Sequence, residues 1–436
     1  MSDRNVRRAR SGGSGLQRRM SSCLAAYSLY DLAETWIFRG TGLWPRPNVV
    51  ITGASGTWYG IAHRRKGDLM DIPNLSAEAG GASFVAPPGV RVQFEHHRIR
   101  LPGGHRVGVS VGGRGIPLVF FHGIGLNRHV YLRLVNRLPQ LGFLVAAIDA
   151  PGHGDTHAPA RGHDTFEERV AITEQVLDSL GIRRAVLVGH SMGGRTAAEL
   201  AARRPERALT IILIDPALGE AFDASRSRVS SPTKMGLGLA AGLVDLFRDR
   251  VGLRGNDHLW HTRTFVGILA RTAVRPGPLL AAARAIAASE RCNRALGILA
   301  EHSTPVAIVH GEKDMLVSLE SAVSAARLCG GTLVTLPDAY HSWVLSTPWT
   351  FSAIVRQLLS EHRLGIELDH ALASKVTRST PDPWYAPNSP VLSMAAPVRV
   401  LGRAEPTGTH LYHQFKIWDA GSFPKRFESR QPLPPR

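Results

Sequence analysis

Six short apolar runs, each ending in a turn rich in Gly, Asp or His, recur through the middle of the chain with helix-forming stretches between them. They are Ile116–Phe121, Leu144–Ile148, Ala185–Val188, Thr210–Ile214, Pro305–His310 and Thr332–Leu336. Runs of this length and β-branched content suit strands buried on both faces. Helices are expected at about His129–Leu141, Glu167–Leu180, the stretch after Ser191, Leu319–Leu328 and Pro348–Glu361. Strands alternating with helices of this length imply a mainly parallel sheet covered on both faces. Ahead of them, Val90–Leu101 and His105–Val111 alternate polar and apolar residues around a Pro-Gly-Gly turn, as two antiparallel strands would.

The alternation is interrupted once. Residues 217–301 are rich in Ala, Gly and Arg, with helical stretches at Lys234–Phe247, Trp260–Ala273 and Leu279–Ala288, and are expected to form a helical cap inserted into an α/β core of residues 90–216 and 302–364. An N-terminal extension, 1–89, begins with a basic, Gly/Ser-rich arm suited to disorder. Within it, Val49–Ala62 superficially resembles the opening strand and Gly-rich turn of a short-chain dehydrogenase, but Thr57 and Tyr59 stand where that pattern needs glycines. No cofactor site is therefore expected there. The last segment, 365–436, is a Pro-rich tail without sustained periodicity, expected to pack only locally through Trp384, Tyr385 or Trp418.

The 436 residues carry a formal charge of +17. That balance suits weak contact of the basic arms with anionic membrane surfaces, but arginines spread through the chain without a known nucleic-acid module do not point to nucleic acid. Three cysteines, Cys23, Cys292 and Cys329, lie too far apart for a disulfide framework or a zinc site and fit a reducing cytoplasm, so no metal is expected. Asp31 and Glu34 interrupt the only stretch resembling a signal peptide, and no window is apolar enough to span a bilayer. A cytoplasmic protein, able to lie peripherally on a membrane, is expected.

Chemistry concentrates at the strand ends. The run Ala185–Gly194 reads A-V-L-V-G-H-S-M-G-G, a G-x-S-x-G pattern that puts Ser191 on a sharp turn from strand to helix. Gly189 and Gly193 remove side chains that would clash as strand and helix converge, and the helix N-terminus favours a developing oxyanion. A serine hydroxyl needs a base, and the base needs a partner to fix its tautomer. His341, after the last strand, is the base candidate, and Asp314, after the strand before it, the acid candidate, with Met315, Leu316 and Val317 behind it as a screen from water. Asp215, directly after another strand, competes for the acid role, whereas Asp149 in D-A-P-G-H-G fits a turn held by side-chain hydrogen bonds. Two backbone N–H groups, from Met192 and from Ile124 in the His122-Gly123-Ile124-Gly125 turn, are placed to bind an oxyanion.

Taken together, His122-Gly123, D-A-P-G-H-G at 149–154, G-H-S-M-G-G at 189–194, H-G-E-K-D at 310–314 and A-Y-H-S at 339–342 resemble the α/β-hydrolase superfamily, in the serine-nucleophile branch with a helical cap after the sixth strand. The resemblance covers about Val90 to Leu364. It implies a mostly parallel eight-stranded sheet, with Ser191 as nucleophile, His341 as base and Asp314 as its orienting acid. A serine at the elbow excludes the chemistries that require a carboxylate there. Hydrolysis of a carboxylic ester, thioester or similar acyl bond is the leading expectation. Carbon-carbon bond hydrolysis, cofactor-free perhydrolysis and a non-catalytic ligand-binding role are the alternatives. In the cap, Met235, Leu237, Leu239, Leu243, Leu246 and Phe247 could line a slot for a partly apolar acyl substrate, although such a stripe more often serves cap packing.

Overall fold

A computed structural model of the chain describes residues 90–160, 163–226, 244–245, 248, 255–361, 384–395, 400–403, 415–419 and 422–424. The Val49–Ala62 stretch, the N-terminal arm and the six cap residues proposed above for an acyl slot lie outside these residues.

All eight expected strands form, as β2 (Glu95–Arg100), β3 (Arg106–Gly113), β4 (Ile116–Phe121), β5 (Phe143–Ile148), β6 (Ala185–His190), β7 (Ala208–Ile214), β8 (Val306–Gly311) and β9 (Thr332–Leu336). Strands β4 to β9 are mutually parallel and buried along their whole length, which is why their sequences run apolar without alternating. β2 and β3 are antiparallel at one edge, where β2 alternates between half-buried and exposed residues.

The sheet has one strand more than expected. Lys416–Trp418, in the tail, pairs antiparallel with β9, so the nine-stranded order is 416–418, β9, β8, β7, β6, β4, β5, β3, β2. The tail also covers the core elsewhere. Trp384 and Tyr385 are buried, the Trp384 carbonyl accepts from Arg183 N–H, and the Tyr385 hydroxyl donates to the Gly115 carbonyl. β1 (Val90–Val92) is a separate short strand, paired with Val400–Arg403 of the tail rather than continuing into β2.

In the strand order, β4 lies between β5 and β6, so the chain leaves β4 toward one edge and then crosses back over it to build the other half. Right-handed crossovers then place the β4–β5 and β6–β7 connections on opposite faces. The β6–β7 connection, α2 (Met192–Arg203), packs with α1 (Phe166–Leu180) and Asn293–Glu301, and Asn293–Glu301 packs in turn with Leu319–Cys329. Pro348–Glu361 packs instead on the β4–β5 connection. That connection is not the single helix expected: it breaks into Arg128–Tyr131, Leu132–Val135 and Leu138–Leu141, because Pro139 lacks the N–H and the space an uninterrupted helix needs. Between β7 and β8 the described residues are helical, at Glu220–Arg226, Gly255–Val274, Gly277–Ala288 and Asn293–Glu301.

The switch in strand order matters for function. Where neighbouring connections diverge, a crevice opens beyond the carboxyl ends of the strands. Here those ends are Phe121 of β4 and His190 of β6.

Trp384→Ala is expected to cost about 3–5 kcal/mol, the usual penalty for removing a buried tryptophan. Urea unfolding of the full chain measures it; a change below 1 kcal/mol would mean that the tail does not seal the core.

Candidate active site

Ser191 sits between β6 and α2 with φ 55° and ψ −118°, a conformation that costs a non-glycine residue roughly 1–3 kcal/mol. The turn survives because its surroundings over-determine it. A Cβ on Gly189 would collide with the Gly193 carbonyl, and one on Gly193 with the Phe121 carbonyl. The expected role of both glycines in letting strand and helix converge is therefore met by close approach. Ser191 N–H donates to the Ile214 carbonyl at 2.8 Å, and its carbonyl accepts from Ala217 N–H at 3.1 Å, so the turn is pinned from the β7 side.

The structure brings two other predicted residues together. His341, in the loop after β9, places Nδ1 2.7 Å from Asp314 Oδ2, in the loop after β8. Asp314 fixes the loop that carries it: its Oδ1 accepts from the N–H groups of Leu316 and Val317 at 2.7 and 2.8 Å. Met315 and Leu316 do not screen this carboxylate as expected. Both are exposed, and of the three only Val317 is buried. The turn closing around Oδ1 points the intervening side chains outward, while the carboxylate itself is fully buried against His341 and His310.

Asp215, the competing acid, is occupied elsewhere. It accepts from Gly311 N–H at 2.8 Å and from the Trp343 indole N–H at 2.7 Å, and so ties the end of β7 to β8 and to the helical turn after His341. Burial, together with the nearby Asp314 charge, pushes its carboxyl well above the ordinary carboxylate range. Asp314 is buried too, but the charge and hydrogen bond of His341 outweigh that and hold its carboxyl below the ordinary value. Burial alone would lower His341. Asp314, Asp215 and Asp245 together reverse this and raise its pKa to about 9. A negative charge on Asp314 facing a readily protonated imidazole is the arrangement in which a histidine can take and hold a proton.

His190, the residue before the serine, joins the three loops. The Gly123 N–H donates to the Tyr131 hydroxyl at 3.3 Å, Tyr131 is 2.7 Å from His190 Nδ1, and His190 Nε2 is 3.0 Å from the His341 carbonyl. One tautomer satisfies every member: Tyr131 donates to Nδ1, and Nε2–H donates to His341. Gly123 leaves room for this joint, since a Cβ there would lie 2.9 Å from His190 Nδ1 and 3.0 Å from the Tyr131 hydroxyl. His122 acts likewise, with Nδ1 2.7 Å from the Gly123 carbonyl and Nε2 accepting from Ala150 N–H at 2.9 Å. His153 accepts from Gly125 N–H at 3.2 Å.

These contacts shape the turn that carries Ile124. Its neighbours' N–H groups are used internally, and none of the described hydrogen bonds uses the N–H of Ile124. Met192 opens α2, so its N–H has no intrahelical acceptor. Asp149, as expected, holds a turn: it pairs with the buried Arg128 guanidinium and accepts from the N–H groups of Arg128 and Asp155 at 2.7 and 2.9 Å. Beside Met192, Phe121, Ile148, Phe166, Thr173 and Thr196 line a small, mainly apolar cavity.

Two buried groups, His190 with Asp215 and His341, and Asp215 with His310 and Asp314, have the spacing of metal ligands. Most of these atoms are engaged: His190, Asp215 and His341 bond to the groups described above, Asp314 to His341, and His310 Nε2 lies 3.1 Å from the Val317 carbonyl.

Residues 116–348 match the family model for the alpha/beta hydrolase fold. The chain belongs to that family. The strand-end motifs from His122 to His341 all lie inside the matched region. It is 35% identical over 260 residues to a "non-heme haloperoxidase" of Mycobacterium phage D29, covering 58% of this chain and 91% of the relative. It is 31% identical over 254 residues to a pimeloyl-[acyl-carrier protein] methyl ester esterase of Neisseria meningitidis serogroup A, covering 55% and 75%. Among solved structures, an esterase of Thermogutta terrifontis is 24% identical with a TM-score of 0.49, covering 61% of this chain and 98% of that one. The protein is a hydrolase. No described helix is long and apolar enough to cross a membrane.

Sequence reasoning missed Tyr131 and the joining role of His190. The first carries no local signal. The second occupies the variable position of G-x-S-x-G, where its chemistry shows only once Tyr131 and His341 are brought against it.

Burial holds His122 near pKa 4 and His190 and His153 near 3. An unfolded histidine protonates near 6.5, so the stability these rings contribute is complete above that pH and declines as pH falls toward 4. Between pH 7 and 5 each should remove about 2 kcal/mol. Urea midpoints at the two pH values should fall less for His190→Gln than for the native chain; an equal fall would mean that His190 is charged in the folded protein.

Proposed function

We propose that the protein cleaves a carboxylic ester, thioester or similar acyl bond through an acyl-enzyme intermediate on Ser191. The observation that carries this reading is the 2.7 Å bond from His341 to Asp314, whose imidazole lies beside the elbow, its ring centroid 4.8 Å from that of His190.

His341 Nε2 takes the proton of the Ser191 hydroxyl as the oxygen attacks the acyl carbon, and Asp314 balances the imidazolium that results. The N–H groups of Met192 and Ile124 receive the oxyanion. Collapse breaks the bond to the leaving group, which departs with the proton from His341, and leaves an acyl-serine. Water attacks that ester with His341 again as base, releasing the acid and restoring Ser191. A methyl ester esterase among the relatives supports an ester as the bond cleaved.

A second reading rests on the name of the phage relative. Hydrogen peroxide in place of water would convert the same acyl-serine into a peracid. Assaying ester turnover with and without peroxide, and bromination of a dione by the hypobromous acid that the peracid forms from added bromide, separates the two.

Ser191→Ala should lower turnover of p-nitrophenyl esters by at least about 10⁴-fold and abolish labelling by a fluorophosphonate. Labelling that persists would sink the assignment. Asp314→Asn should cost about 10⁴-fold in kcat, far more than Asp215→Asn; the reverse order would transfer the acid role. In the native enzyme kcat/KM should rise with pH through a midpoint above 6.5, toward the raised value of His341. A midpoint at or below 6.5 would contradict the carboxylate environment described for that ring.

A further inference from the structure

The loops carrying Asp314 and His341 share a third carboxylate that comes from neither. Asp245, in the 217–301 insertion, is 1% exposed. Its Oδ1 accepts from Ser342 N–H at 3.0 Å, and its Oδ2 from His341 N–H at 3.0 Å and from Met315 N–H at 3.3 Å. One side chain therefore takes up the amide of the proposed base, the amide that follows it, and the amide that follows the proposed acid. Three residues on, Arg248 sets its guanidinium 5.9 Å from the ring centroid of Tyr340, just before His341. The same short stretch of the insertion thus meets Tyr340, His341 and Ser342 in sequence.

A buried carboxylate is costly unless its oxygens are satisfied. Here three backbone N–H groups satisfy it, and none belongs to a strand or to the interior of a helix. From the core side these loops are held by His190, Asp215 and the turn around Asp314; Asp245 adds a tie from the insertion to both, and a base must stay within a fraction of an ångström of its working position. We propose that Asp245 is a positioning residue by which the inserted helices hold the His341 and Asp314 loops in register, so that the base is aligned only when the insertion is seated on the core. This rests on the proposed roles of His341 and Asp314.

Asp245 also adds to the charge around His341. The ring faces the carboxylates of Asp314, Asp215 and Asp245 and the neutral rings of His190 and His310. Removing one carboxylate charge lowers the pH at which His341 loses its proton.

Asp245→Asn keeps the volume but presents an amide NH₂ to at least one backbone N–H. With p-nitrophenyl butyrate and the full chain, kcat should fall about 10- to 100-fold with KM within about twofold, and the midpoint of the kcat/KM pH profile should move down. Asp245→Ala should show at least the same losses, with a urea midpoint reported for both variants. An unchanged midpoint of the pH profile, or a loss in kcat matched by Arg248→Ala and accompanied by general unfolding, would overturn the proposal. A measurement on the native protein needs no variant: the amides of His341 and Ser342 should exchange with deuterium at least tenfold more slowly than exposed loop amides, and rapid exchange would overturn the proposal even if Asp245→Asn fails to fold. The outcomes separate from those at Ser191. Activity retained in Ser191→Ala defeats the acyl-enzyme reading, whereas unprotected amides at 341 and 342 defeat the Asp245 reading alone.

Discussion

The turn at Ser191 demands that a strand end and a helix begin within the space of a hydrogen atom on Gly189 and Gly193. Everything around the site is arranged to hold that turn. β6 lies between β4 and β7, α2 returns over the sheet with its first turn against the Phe121 carbonyl, and the serine's own N–H and carbonyl are tied to the last residue of β7 and to Ala217 just beyond it. Strain of this kind persists only where packing leaves no relaxed alternative. The buried parallel strands supply that rigidity, and the reversal in strand order falls at their carboxyl ends, between β4 and β6.

Around this turn the polar groups form joints rather than isolated pairs. Gly123, Tyr131, His190 and His341 are linked in series, so the Gly123–Gly125 loop, the elbow and the His341 loop share one hydrogen-bond chain. Asp215 ties β7 to β8 and to Trp343, and Asp149 with Arg128 braces the loop after β5. Such groups must be fully partnered when buried, and their partners come from loops far apart in sequence. Asp245 extends the same principle to the inserted helices.

Much of this was legible in the amino-acid order because strand ends announce themselves. Apolar runs terminated by Gly, Asp or His marked where Ser191, Asp314 and His341 would emerge, and chain order suggested how they would be used. Both Asp314 and Asp215 follow strands, and chain order with the family resemblance favoured Asp314; in the structure Asp314 meets His341 Nδ1, while Asp215 bonds to Gly311 and Trp343. Asp245 was hidden. A lone aspartate in Gly-Leu-Val-Asp-Leu-Phe looks like an exposed position on an apolar stripe, and only the loops folded against it show that it is buried. The tail was misjudged in extent for a similar reason: Lys416–Trp418 has no strand pattern of its own until the open edge of β9 provides partners.

By itself the sequence determined the class of fold, the placement of its buried strands and the position of a strained serine, because periodicity, apolar run length and glycine spacing are local properties of the chain. Tertiary structure alone decided which carboxylate meets His341, which ring joins three loops, and how the insertion and the tail close on the core. Those outcomes depend on distances between residues that are tens to hundreds of positions apart, and hydrogen bonds and burial are set by such distances rather than by neighbours along the chain.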